Sequence, residues 1–166
     1  MEKRLITIDT ERIIGKVRQE SALLAKARSA TGTPDALADI FPVTSDETSI
    51  TEKHITEKLN TVTGYIGNYL PACHLTAREE NGKKEYTIVL VVPHNYPTGN
   101  IEKLRNSIEE IVFYGVMQEW ALLIKPDEAN IHSAKTGEAT VRLRRLLAER
   151  KRPTRGKQSK ENIVDL

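Results

Sequence analysis

Cys73-His74 is the one adjacent pair of soft ligands in the chain, so a reactive site would have to start there. A thiolate beside an imidazole can serve as a nucleophile or hold a metal. Both roles need further partners at defined spacing. The other histidines, His54, His94 and His132, fall on separate elements, and there is no second cysteine. No His-x₃-His or Cys-x₂-Cys run completes a zinc set. No nucleophile-elbow motif accompanies Cys73. Ordinary packing or surface roles account for both residues.

Other groups with chemical potential read the same way. Gly64-Tyr65-Ile66-Gly67 falls in the middle of a helical pattern, whereas a phosphate-cradling loop sits at a strand-to-helix turn. Asp46-Glu47 and Glu109-Glu110 are acid pairs on helix surfaces, and Thr33-Pro34-Asp35 is a turn signature. Trp120 and Tyr114 follow the helix period, which places them in or beside a core. The expectation is a non-enzyme with no catalytic residue, cofactor or metal.

The charged feature with functional weight is the C-terminal end. From Arg142 onward nine basic residues face three acids, a net of +6. The whole chain carries +2, which leaves residues 1–141 at −4. An acidic body with a basic end suits an anionic partner. Arg150, Lys151, Arg152, Arg155 and Lys157 are the residues expected to touch DNA phosphates, without sequence specificity, or an acidic protein face. The competing reading is that basic residues complement the negative end of a helix and continue into a solvated tail.

Four helices and one hairpin must position these groups. Asp9-Thr10-Glu11 starts the first helix, which fades near Ser29. Ala30–Val43 reads as irregular, with Leu37, Ile40 and Phe41 able to pin it down. A second helix starts between Thr44 and Ser49, where two capping boxes compete, and ends at Leu70-Pro71. Asn81-Gly82 predicts a two-residue turn. That register pairs Glu80 with Lys83, Glu79 with Lys84 and Arg78 with Glu85, three opposite-charge pairs that a one-residue slip would lose. The third helix starts at Asn100 and is broken at Pro126, and the fourth runs to about Arg150. Gly64, Gly67, Gly115 and Gly137 inside helices suggest close crossings or kinks.

The strand Tyr86–Val92 is apolar on both faces, so it needs cover on both. A two-stranded ribbon is also marginal alone. Leu5–Ile8 could add a third strand, helices could sandwich the ribbon, or a neighbouring subunit could supply an edge. The expected fold class is mainly α, a four-helix domain with one β-hairpin between helices 2 and 3. Residues 1–153 form a single domain with the hairpin at about 73–92, and 154–166 form a basic, mobile tail. Tyr86, Ile88, Leu90 and Val92 are the expected oligomer contact.

With 166 residues, 39% of them hydrophobic and 29% charged, the chain has a modest core and much solvated surface, or is completed by neighbours. One cysteine favours a reducing compartment. No apolar run reaches membrane-spanning length, and the charged start Met1–Thr7 is read as running straight into a helix, without a signal peptide. The expected location is the cytoplasm.

The ordered combination Ile111–Trp120, then Lys125-Pro126-Asp127-Glu128-Ala129, then Val141–Pro153 carries a resemblance. It is similar to a group of small virion structural proteins encoded in bacterial prophages, in which a helix ending in tryptophan meets a proline break and a further helix closes on a basic-proline signature. The resemblance spans roughly Ile50–Arg155. It implies a protomer like the head–tail connector or adaptor proteins of tailed phages, assembling into homo-oligomeric rings between portal and tail. Portal or tail proteins would then be partners, and the location would be the bacterial cytoplasm and then the virion. The group has no catalytic motif, so no functional residue carries over. The Ala30–Val43 stretch and the two-faced strand depart from its pattern. Two rivals stand beside it: a DNA-binding accessory protein using the basic end, and an enzyme whose pocket gathers Cys73, a histidine and an acid.

Overall fold

The structure is a computed structural model that describes residues 1–29, 48–80, 83–124 and 126–150. The elements are β1 (Glu2–Asp9), α1 (Thr10–Ser29), α2 (Thr48–Gly67), β2 (Ala72–Glu80), β3 (Lys83–Val92), α3 (Asn100–Ile124) and α4 (Pro126–Ala148). Capping chemistry sets the first boundary. The Asp9 carboxylate accepts from the backbone N–H groups of Glu11 (3.0 Å) and Arg12 (3.3 Å), satisfying two orphan donors of α1. Pro126 opens α4, with Asp127 and Glu128 at the helix's positive end. Thr44, Asp46 and Glu47, the Leu37–Phe41 cluster, the Asn81-Gly82 pair and the 154–166 tail lie outside the described residues.

The hairpin has the expected register: Glu80 opposite Lys83, Glu79 opposite Lys84, Arg78 opposite Glu85. It is not alone, however. Glu2–Asp9 is a strand and not the start of a helix. It pairs antiparallel with β3, Ile6 against Ile88 and Ile8 against Tyr86, so the sheet has three strands in the order β1-β3-β2. The physical reason lies in the alternation Ile6-Thr7-Ile8-Asp9. It has period two, and it closes the free edge of β3, which a lone hairpin would have left open.

The expected oligomer contact is also corrected. Tyr86, Ile88, Leu90 and Val92 are at most 5% exposed within the single chain. Their face of the sheet is covered by helices: α1 lies against β3, α2 against β2 and α3 against β1. Ile6 and Ile8 join Ile13, Val17, Ile55, Leu59, Leu104, Ile108 and Val112 in one continuous core. The Tyr86 hydroxyl, which could not be buried alone, meets Thr56 Oγ1 at 2.7 Å. α4 packs on α3 and contributes Ala139, Leu143 and Leu147.

Of the helical glycines, only Gly115 lies at a close approach. A Cβ there would sit 3.1 Å from Lys58 Cδ, whereas Gly64, Gly67 and Gly137 face open space within 4 Å.

Candidate functional site

Strand alternation separates the pair that looked most reactive. Cys73 lies opposite Leu90 on the helix-covered face of the sheet, and His74 opposite Val89 on the other. Burial pushes the half-buried Cys73 thiol up to about 11, so it is neutral near pH 7 and a poor nucleophile. His54 sits on α2, His94 follows β3 and His132 lies on α4. Among the described residues no three His, Cys, Asp or Glu side chains gather where a metal could sit.

His132 is the histidine with the most constrained environment. It is buried, its two ring nitrogens have no hydrogen-bond partner, and its ring stacks on Tyr114 at 6.2 Å between centroids. Desolvation holds its pKa below the usual value, with the nearby Lys135 ammonium acting in the same direction. Lys135 Nζ itself lies 5.2 Å from the Tyr114 ring centroid. Tyr114 is thus a half-buried contact of α3 with α4.

The basic end is brought together only in part. Arg142 pairs with Glu110, and Arg144 and Arg145 are exposed on α4. Arg150 completes the end of α4. Its Nη1 donates to the carbonyls of Leu147 and Glu149, both at 2.7 Å, and its guanidinium lies 5.7 Å from the Tyr96 ring centroid. Tyr96 is buried and donates its hydroxyl to the Leu146 carbonyl at 3.0 Å. Asn100 Nδ2 donates to Glu149 at 2.7 Å, tying the start of α3 to the end of α4. Arg150 therefore supports a helix terminus. Lys151, Arg152, Arg155 and Lys157 lie outside the described residues.

Three cavities lie among the described residues. One of about 380 Å³ lies between α1 and the start of α2, lined by Arg18, Thr48, Glu52 and Lys84 among others. Lys84 Nζ donates to Glu52 at 2.9 Å, and Arg18 Nη2 donates to Thr48 Oγ1 at 2.6 Å, while the buried Arg18 Nε and Thr10 Oγ1 make no hydrogen bond. A second, of about 230 Å³, runs between α2 and α4 over Gly115. The third, of about 130 Å³, is walled by Val17, Ile50, Val116, Trp120 and Leu123, with His54, Thr51 and Glu119 at its margin. Cys73 lines none of the three.

No family model, no curated protein and no solved structure matches this chain.

The smallest cavity belongs to a larger feature that sequence reasoning missed. At its rim Ile50 is 57% exposed and Leu123 88%. A monomer rarely leaves large aliphatic side chains clustered in water. The signal was present in the sequence: Ile111–Ile124 is apolar on most sides, and only part of such a helix can face a core this small. No helix among the described residues is long and apolar enough to cross a membrane.

Proposed function

We propose that this protein is a non-enzymatic, self-assembling structural protomer, of the kind that the prophage head–tail connector resemblance implies. The observation that carries the reading is the apolar patch of Ile50 and Leu123, exposed at the rim of the 130 Å³ cavity with Val17, Val116 and Trp120. Side chains of that size left in water lose roughly 1.5–3 kcal/mol each relative to burial. A neighbouring subunit recovers that energy, and a ring gives every protomer such a neighbour. The neutral Cys73 thiol and the separation of the histidines onto different elements support a role other than catalysis. Portal or tail proteins would meet the assembled ring, and the role belongs to a virion.

The test is sedimentation velocity of the intact chain across micromolar to near-millimolar concentration, with Leu123→Glu alongside. The wild type is expected to form a discrete larger species and Leu123→Glu to weaken it at least tenfold, since the substituted side chain is solvent-exposed and its replacement leaves folding intact. A wild type that stays monomeric throughout overturns the reading.

A second reading, a DNA-binding accessory protein, is favoured by the +6 region from Arg142 onward. Removing residues 154–166 should then abolish a salt-sensitive DNA mobility shift. No shift by the intact chain at low salt eliminates it.

A further inference from the structure

We infer that the first half of α4 is an acid-released flap: protonation of His132 lifts residues 126–136 off α3 while the rest of the helix stays in place. The inference is independent of the self-assembly reading.

α4 is held unevenly along its length. Its second half supplies Ala139, Leu143 and Leu147 to the continuous core. Polar ties add to them: Tyr96 donates to the Leu146 carbonyl, Asn100 donates to Glu149, and Arg142 pairs with Glu110. The first half buries Ala129 and His132, and neither belongs to that core. A methyl group and an imidazole therefore carry most of its hold on α3. The imidazole is 3% exposed, and both of its nitrogens lack a hydrogen-bond partner. A buried polar ring without a partner costs free energy even when neutral, so the contact is weak from the outset.

Protonation turns the weak contact into an unfavourable one. An imidazolium has two N–H donors and a charge to satisfy, and neither nitrogen has an acceptor within reach. The surrounding groups pull both ways. Lys135, on the next turn of α4, opposes a second cation, while Glu128 on α4 and Glu20 on α1 favour one. From α3 the facing group is the Tyr114 ring, stacked on the imidazole. Burial outweighs the two carboxylates, so the closed helix holds the ring neutral. In water the ring takes up its proton near the ordinary value of about 6.5. The closed form is thus fully favoured above that pH and loses ground to the open form below it.

Gly137 sets where the opening stops. It lies between the two halves, and a Cβ there would meet nothing within 4 Å, so packing does not require glycine. Glycine weakens a helix by about 1 kcal/mol relative to alanine. About three turns precede it, and an isolated helix of that length is marginal in water. Once off α3, residues 126–136 unwind as far as this weak point.

The test is hydrogen exchange of the intact chain, read by mass spectrometry and corrected for intrinsic rates at each pH. From pH 7 to pH 5 the protection of amides 130–137 is expected to fall by roughly 10- to 25-fold, the upper limit being that of one group titrating at about 6.5 when open. Amides 141–148 and those of β3 should keep their protection. His132→Leu should abolish the pH dependence of the first half. Gly137→Ala should raise protection there about two- to fivefold at both pH values and leave the pH dependence in place. The inference fails if both halves of α4 lose protection together, or if the first half does not respond to pH. It fails equally if His132→Leu responds as wild type does, or if Gly137→Ala leaves the first half unchanged.

Discussion

Lys58 crosses α3 over the bare Cα of Gly115 and reaches Glu119, its Nζ 2.6 Å from the carboxylate oxygen. The crossing ties α2 to α3 where the two helices bound the apolar end. Gly115→Ala would put a Cβ 3.1–3.3 Å from three carbons of the Lys58 stem. That stem is flexible and can move, so its displacement offsets the ~1 kcal/mol that alanine gains over glycine in a helix. Gly115→Ala is expected to leave stability within about 0.5 kcal/mol of wild type. Gly137→Ala, with open space around it, should add about 0.5–1 kcal/mol and raise Tm by a few degrees. Thermal melts of the two variants, side by side, check the contrast; equal gains would mean that Lys58 does not rest on Gly115.

His132 should make the protein acid-sensitive. Its folded-state pKa is lowered, mainly by burial, so the unfolded chain binds the proton more readily. Its contribution is complete above the ordinary histidine value of about 6.5 and is lost as pH falls below it. Lys135 opposes protonation, and Glu128 and Glu20 partly favour it. Replacing His132 by leucine removes two unpartnered nitrogens and should raise stability by about 1 kcal/mol. Urea melts at pH 7 and pH 5 should differ less in His132→Leu than in wild type. An unchanged difference would assign the acid sensitivity to another group.

Ile88 is fully buried where β3 meets the helices, so Ile88→Ala is expected to cost about 2–5 kcal/mol. Ile6→Ala should cost a comparable amount, because β1 contributes to the same core. Both losses are to be read in denaturant midpoints. The fraction that stays folded should sediment as wild type does, since neither side chain reaches the surface. A change in oligomeric state without a change in stability would return β3's inner face to the list of contacts.

Cys73 should label slowly. With its thiol pushed up to about 11, only a small fraction is thiolate at pH 8, and its core-facing position further limits access. The rate of iodoacetamide modification should climb with pH well beyond that of a free thiol, whose rate levels off above about 8.5. Rapid modification at pH 7 would mean that β2 opens readily.

Local chemistry settled much of this fold from the sequence. Asp9, Asn100 and Pro126 marked helix starts that the backbone follows, because capping and proline geometry act within one turn. Asn81-Gly82 and three charge pairs specified the hairpin register for the same reason. The third strand was harder to see. Leu5–Ile8 is too short to declare itself, and pairs with β3 across eighty residues of chain, so only the assembled sheet decides it. Which face of β3 would be covered was equally undetermined. Alternation defines two apolar faces, but the helices pack against the one bearing Tyr86, Ile88, Leu90 and Val92, and leave Val89 and Val91 outside. The separation of Cys73 from the other histidines, and the exposure of Leu122 and Leu123, likewise depend on where whole elements come to rest. Sequence carries the short-range rules of turns and caps, while burial is a property of three-dimensional packing among residues far apart in the chain.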